Sequence, residues 1–275
     1  KIKELIRLNK FYYEYSKPLI KDSDYDKIKN EILEIEKKYK FLKSKNSPSN
    51  LVGYKPAKNF KKVLHKVPML SLSNAFSKED LINFEKRIIN YLDKTEGFEI
   101  EYSAEPKIDG ISASLIYRKG KFITGLSRGD GKEGEDITEN LKTIGDIPNH
   151  IKSKNFPEEI DIRGEVFIQN SDFKRLSEKF ANPRNAASGS LRQKNPLETK
   201  KIPLKFIAYT FGYEKNMKIS FQSDYLKKLK EWGFKTNPFN KTLKKVKNLM
   251  ENYYEMEKKR GEKDFDIDGI VYKVN

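Results

Sequence analysis

Ile111-Ser112-Ala113-Ser114-Leu115-Ile116-Tyr117, then Arg118-Lys119-Gly120-Lys121, then Phe122-Ile123-Thr124-Gly125-Leu126: this run decides the fold class. Two strand-like segments joined by a short link that contains Gly read as an antiparallel hairpin. The hairpin also limits the meaning of the glycine-rich stretch after it. Gly129-Asp130-Gly131-Lys132-Glu133-Gly134 fits the dinucleotide pattern G-x-G-x-x-G. That pattern carries meaning only inside a βαβ unit with a parallel strand before it. Here the preceding strand is the return arm of a hairpin, and no acidic residue in a suitable strand-end context comes after it. The match is set aside. No Walker A sequence is present either.

Outward from the hairpin, more strands are legible. Phe98 to Tyr102 alternates with period two, Ile160 to Phe167 reads as a strand, Leu204 to Phe211 as a buried one, and Ile267 to Val274 as the last. Ser77-Lys78-Glu79-Asp80 caps a helix with the face Leu81, Phe84, Ile88 and Tyr91. Helical patterns follow at 220–231 and 240–258. Hairpin-joined strands with separate helices predict an α+β fold, not a doubly wound parallel sheet. Residues 1–60 read as a small helical unit. Ile2, Leu5, Leu8, Tyr12 and Tyr15 form one stripe, ended by Pro18. A capping box at Ser23-Asp24-Tyr25-Asp26 opens a second stripe of Tyr25, Ile28, Ile32, Ile35 and Tyr39. A loop at 46–50 and a Lys-rich run up to Lys62 separate this unit from the domain expected over 61–275.

Composition limits the function classes. The chain has 275 residues, enough for a sizeable core, and 15 Tyr with 17 Phe argue against wholesale disorder. Apolar stretches are too short to span a membrane, and the start Lys1-Ile2-Lys3-Glu4 has neither Met nor the apolar core of a secretion signal. The expectation is a cytoplasmic protein whose natural start lies upstream. With no Cys, thiol nucleophiles, disulfides and zinc ribbons are excluded within the chain; with two His, a His-rich metal site is excluded too. Any metal would be held by carboxylates, which makes Mg²⁺ the natural candidate. The net charge of +16 favours a polyanionic partner, although abundant Lys, Ile and Asn are also what A- and T-rich codons produce.

Glu105-Pro106-Lys107-Ile108-Asp109-Gly110 lies between two predicted strands. A Lys among carboxylates is ordinarily a salt-bridged surface residue. The alternative is a nucleophilic amine, which needs burial or neighbouring positive charge to shed its proton.

The order of motifs around this stretch carries a resemblance. Lys107 to Gly110 matches the K-x-D-G element of covalent nucleotidyltransferases: DNA ligases, RNA ligases and capping enzymes. After it come Ser127-Arg128-Gly129-Asp130-Gly131, Gly134 to Asn140, Arg163-Gly164-Glu165-Val166-Phe167, Ala181 to Gln193, and Ile267-Asp268-Gly269-Ile270-Val271-Tyr272-Lys273. The series, over nearly the whole chain, resembles bacterial NAD-dependent DNA ligase. Tyr12-Tyr13, Pro18, Asp22, Tyr25 and Asp26 resemble the helical module that in this family grips the nicotinamide mononucleotide (NMN) half of NAD. Pro68-Met69-Leu70-Ser71-Leu72 matches as well, while Ser73 stands where the family usually has Asp.

The resemblance implies an ATP-grasp-like nucleotidyltransferase domain of mostly antiparallel sheets behind the helical NMN module. It implies that Lys107 attacks the α-phosphorus of NAD and keeps AMP as a phosphoramidate. Tyr12, Tyr13, Asp22, Tyr25, Asp26, Ser71, Leu72, Glu105, Arg128, Glu165 and Lys273 would bind the nucleotide. Asp109 would orient Lys107, and Arg184 and Arg192 would serve nucleotide transfer or DNA phosphate contact. NAD and Mg²⁺ are the implied cofactors and nicked duplex DNA the implied partner of a monomer, with no metal-ligating residues identified. The family continues beyond the Lys273 strand with a further Lys-bearing strand and with OB, four-Cys zinc, helix-hairpin-helix and BRCT parts. The expectation is therefore an adenylation fragment that seals nicks poorly. The competing readings are an ATP-using ligase or capping enzyme, which has no use for an NMN module, and a basic domain that binds nucleic acid without forming covalent AMP.

Overall fold

The computed structural model describes residues 1–9, 11, 19–20, 22–43, 47, 60–95 and 97–275, without the side chains of residues 22, 23 and 26. Tyr12, Tyr13, Tyr15 and Pro18 lie outside the described residues, as do the side chains of Asp22 and Asp26. The helical unit is α1 (Ile2–Asn9) and α2 (Asp22–Lys38). Leu5, Leu8 and Ile32 are buried, and the Tyr25 hydroxyl donates to Asn9 Oδ1 at 2.6 Å. Two expectations change here. Asp22 is already helical, so Ser23 sits in the first turn and not at the cap. Ile35 and Tyr39 are exposed, while Glu36 is buried and accepts a hydrogen bond from the Ser47 hydroxyl. Among the described residues α1 is the α-helix that packs on α2, and a helix covered over a narrow strip leaves the flank of its apolar stripe in water.

The rest of the chain runs β1 (Lys62–Leu64), α3 (Lys78–Tyr91), β2 (Glu101–Ile108), β3 (Ile111–Arg118), β4 (Lys121–Ser127), β5 (Glu133–Glu135), α4 (Thr138–Leu141) and β6 (Glu159–Ile168). It continues with α5 (Asn170–Phe173), α6 (Pro183–Leu191), α7 (Pro196–Lys200), β7 (Leu204–Lys215), α8 (Gln222–Glu231), β8 (Lys241–Lys244), α9 (Val246–Lys259) and β9 (Ile267–Val274). Two antiparallel sheets dominate, β4-β3-β6-β7 and β8-β2-β9, with a short β1-β5 ribbon beside them. The α+β reading holds.

The hairpin that decided it is present. Arg118 pairs with Lys121, and the two residues between, Lys119 and Gly120, both have positive φ (49° and 76°). That is the backbone of a two-residue turn whose twist suits the strands. The glycine-rich run after β4 is a turn into β5. Gly131 N–H donates to the Arg128 carbonyl at 3.0 Å, and Asp130 Oδ1 accepts from Lys132 and Glu133 N–H at 2.9 Å each. A Cβ on Gly129, at φ 58°, would stand 1.9 Å from the Glu133 carbonyl oxygen. These glycines close a turn.

Three boundaries moved. The strand expected at 98–102 starts at Glu101 and runs on through Pro106 and Lys107, so Glu105–Lys107 is strand and only Asp109-Gly110 is the link to β3. The ladder to β8 ends at Ala104, so Pro106 sits where β2 is paired on one side alone, and its missing N–H need cost no ladder bond. Residues 241–244, expected to open a helix, form β8 against β2. Tyr91 is exposed and Ile89 takes its place in the core.

The larger core lies on one face of the four-stranded sheet and gathers Leu115, Tyr117, Ile160, Ile162, Val166, Phe206, Tyr225 and Trp232. The smaller one packs α3 and α9 on the three-stranded sheet through Leu81, Ile89, Tyr102, Val246 and Leu249. Ile108, Phe167 and Ile207 form a third cluster that bridges β2, β6 and β7. The site lies along that junction.

Candidate active site

Lys107 lies near the end of β2, opposite Gly269 of β9. Its ammonium pairs with the Asp268 carboxylate and stays partly exposed. Two residues earlier on the same strand, Glu105 is buried. Its Oε2 accepts from Lys273 Nζ of β9 at 2.8 Å, and its Oε1 accepts from Ser103 Oγ and Gln222 Nε2, both at 2.9 Å. Lys273 and Gln222 also donate to the Tyr209 carbonyl of β7, at 2.9 and 2.7 Å. One cation and one amide thus tie the two sheets together beneath the nucleophile candidate. Burial pulls the Lys273 amine below the usual lysine range, with Glu105 opposing the shift.

The facing wall belongs to the four-stranded sheet. Glu165 on β6 accepts from Ser112 Oγ of β3 at 3.0 Å. Burial pushes its carboxyl up to about 7, against the opposing influence of Arg184, Ser112, Lys107 and Arg128. Those opposing influences put three cations around one carboxylate. The Tyr209 phenol is raised by burial and by the charge of Glu165. Gly110 lets the walls meet: a Cβ there would stand 2.4 Å from the Val166 carbonyl oxygen and 2.9 Å from Glu165 Cγ.

Lys107, Glu105, Glu165, Arg128 and Lys273 therefore converge, and Arg184 joins them from α6. Asn182 caps that helix, accepting from Asn185 N–H at 2.7 Å, and Arg184 follows Pro183 in its first turn. Arg184 pairs with Asp109. Asp109 is thus held by an arginine, and the carboxylate on Lys107 is Asp268. Arg192 is placed differently. Its Nε donates at 3.1 Å to Glu135, a fully buried carboxylate that also accepts from Ser127 Oγ at 3.4 Å. Ser71 and Leu72 are exposed on the segment after β1.

Sequence reasoning missed Asp268, Ser112, Gln222 and Tyr209. A signal for Asp268 existed: Ile-Asp-Gly-Ile occurs twice, at 108–111 and 267–270, and Ile108 pairs with Ile267 across β2 and β9. Among the described residues, no group of three or more His, Cys, Asp or Glu is placed to hold a metal. Mg²⁺ often keeps its waters and rides on substrate phosphates, so it needs no such cage. No helix among the described residues is long and apolar enough to cross a membrane.

The chain matches known families along nearly its whole length. Residues 57–275 match the family described as NAD-dependent DNA ligase adenylation domain, and residues 2–53 the one described as DNA ligase-like, N-terminal NAD+-binding domain. A protein named DNA ligase from Pelagibacter ubique is 67% identical over 269 residues, covering 98% of this chain and 40% of that protein. DNA ligases from Parvibaculum lavamentivorans and Bradyrhizobium sp. ORS 278 are 46% and 44% identical, each covering 99% of this chain and 39% of their own length. The chain spans about 40% of the length of the curated relatives it matches.

Proposed function

We propose, for a chain that belongs to the NAD-dependent DNA ligase family, that Lys107 takes up AMP from NAD as the first step of sealing nicks in duplex DNA. The observation that carries this reading is the Lys107 amine paired with Asp268, on the strand that carries the buried Glu105–Lys273 pair and within electrostatic reach of Glu165 on the other sheet. The unprotonated amine attacks the α-phosphorus. An N–P bond forms, the bond from that phosphorus to the bridging oxygen breaks, and NMN leaves. The amine's proton passes to Asp268, the acceptor it already touches. Arg128 and Lys273 hold the phosphate charge, as phosphoryl transfer demands positioning and neutralisation above all. Glu165 and Glu105 accept hydrogen bonds from the adenosine. Tyr12, Tyr13, Asp22, Tyr25 and Asp26 take the NMN half, a role supported by the match of residues 2–53 to an NAD+-binding domain. Arg184 and Arg192 serve the later transfer of AMP to DNA. Mg²⁺, when bound, would ride on the phosphates of NAD and neutralise part of their charge.

Residues 1–60 and 61–275 act as the NMN module and the adenylation domain. Their combined product is the AMP-charged lysine. The test is intact mass after incubation with NAD and Mg²⁺, with ATP in parallel. The expected result is a gain of one AMP from NAD alone, absent in Lys107→Ala. A gain from ATP would instead favour an ATP-using nucleotidyltransferase. No gain from either, together with salt-dependent DNA binding that Lys107→Ala leaves intact, would favour a plain nucleic-acid-binding domain.

A further inference from the structure

The polar face of β6 carries four charged residues at spacing two: Glu159, Asp161, Arg163 and Glu165. The site uses Glu165. Asp161 and Arg163 form a buried ion pair, with Arg163 Nε and Nη2 donating to Asp161 Oδ2 at 3.1 and 2.9 Å. Ser114 Oγ also donates to Asp161, at 2.5 Å. The pair lies over a floor with no side chain. A Cβ on Gly212 of β7 would stand 2.2 Å from Arg163 Nη2 and 2.2 Å from Asp161 Oδ2. The outer edge of the guanidinium then leaves the sheet. Arg163 Nη1 donates to the Pro68 carbonyl at 3.1 Å, and Nη2 donates to the Val67 carbonyl.

Those carbonyls belong to a strap, residues 65–69, that is stitched on its other side to the turn carrying Arg128. His65 N–H donates to the Lys132 carbonyl and Met69 N–H to the Gly131 carbonyl, both at 2.8 Å. The His65 ring is buried, with Nε2 lying 3.2 Å from the Arg128 carbonyl oxygen. A carbonyl cannot donate, so Nε2 carries the hydrogen. Just before the strap, β1 pairs with β5, and just after it come Ser71 and Leu72.

From this chain of contacts we infer that Arg163, set by Asp161 and Gly212, is a positioning residue for one whole side of the proposed nucleotide site. It fixes the strap through two main-chain oxygens. The strap in turn fixes the Arg128 turn through His65 and Met69 and presents Ser71-Leu72. A guanidinium suits this task because its planar fork can satisfy a carboxylate on one edge and two carbonyls on another at once. A lysine ammonium has one nitrogen and cannot span that set. The inference rests on the proposal that this site takes NAD.

The experiment compares Arg163→Lys, the paired Asp161→Asn/Arg163→Gln and Gly212→Ala with the parent chain. The last variant crowds the pair from beneath without altering its charge. Two readouts are taken: the NAD concentration that half-saturates AMP attachment to Lys107, beside its maximal rate, and amide hydrogen exchange by peptide. The expected result is an increase of about tenfold or more in half-saturating NAD, with a smaller change in maximal rate. Exchange should rise in 65–72 and 128–134 and stay at parent values in 101–108 and 267–274. Unchanged exchange in the strap would overturn the inference, as would half-saturation close to that of the parent. Faster exchange everywhere would overturn it too, since Arg163 would then be a general support. If the parent chain itself takes no AMP from NAD, the proposed function fails, while the exchange pattern still decides whether Arg163 sets the strap and the turn.

Discussion

The two sheets that meet at the candidate site form two walls built in opposite ways. The four-stranded wall stands on the larger core, with Ile160, Ile162, Val166 and Phe206 fully buried behind its site face. It can carry an awkward group, and it does: the Glu165 carboxyl is pushed up to about 7 by burial and is held by Ser112. The three-stranded wall stands on a smaller cluster between α3 and α9. Its site face is ordered by charge pairs, Lys273 on Glu105 and Lys107 on Asp268. The nucleophile candidate thus sits on the wall that electrostatics orders, and the carboxylate that faces it on the wall that packing orders. Damage should follow the same division: deleting a paired charge should break the thin wall, and deleting the strained Glu165 charge should relieve the thick one.

The largest effect is expected from Glu105→Gln. It leaves the Lys273 ammonium partly buried without its carboxylate, and breaking such a pair from one side costs about 3–5 kcal/mol. Ser103 and Gln222 can still bond to the amide, so the loss falls on Lys273. Urea denaturation should show the lower stability, and AMP attachment from NAD should fall by at least about a hundredfold, because Lys273 anchors β9 to β7 beside the nucleophile candidate. Unchanged stability would mean that the pair orders nothing.

The opposite sign is expected from Glu165→Gln. The unfolded carboxyl titrates near ~4.3 and the folded one near 7, so the native state binds more protons between those values. Stability contributed by this raised value is fully present below about pH 4 and is lost as pH rises through 7. Gln carries no charge to desolvate at any pH. From pH 5 to pH 8 the variant should therefore gain about 2–3 kcal/mol on the parent, read from parallel denaturation series. A flat difference would show that Arg128, Arg184 and Lys107 already neutralise Glu165 in full. AMP attachment should still suffer, since the facing wall loses its charge.

The same contrast explains what the sequence made visible. The thick wall was legible: its strands are long, apolar and joined by local turn chemistry, as at Lys119-Gly120. The thin wall was legible only in its motifs. Lys241-Thr242-Leu243-Lys244 has one apolar residue in four, and it is a strand because Tyr102 lies opposite Leu243. Lys107 was found from its motif, but its partner Asp268 is 161 residues away, and the nearer Asp109 had already gone to Arg184. Arg163 read as one letter of a motif, since its carbonyl partners lie 95 and 96 residues upstream and a backbone oxygen leaves no trace in composition. Tyr91 and Ile89 exchanged places because the helical period names a face and leaves the edge of that face to the neighbouring helix.

The smallest expected effect tests how far the thin wall depends on its single layer of helices. Ser77 caps α3 through a complete box: its hydroxyl accepts from Asp80 N–H at 3.1 Å, and the Asp80 carboxylate accepts from Ser77 and Phe76 N–H at 3.0 and 2.9 Å. The Phe76 and Ser77 bonds hold that carboxyl below the usual range, so the box survives well into acid and is lost only as pH falls through the lowered value. Ser77→Ala removes one bond of the box, and caps of this kind contribute about 1 kcal/mol. The cap lies at the surface, yet α3 carries Leu81 and Ile89 into the cluster under β2. If that cluster is what keeps β2 in place, amide exchange should quicken along 78–91 and 101–108 while 160–168 stays unchanged. Exchange that quickens in α3 alone would mean that β8 and β9 hold β2 without it, and the thin wall would then be ordered from its edges and its charges rather than from below.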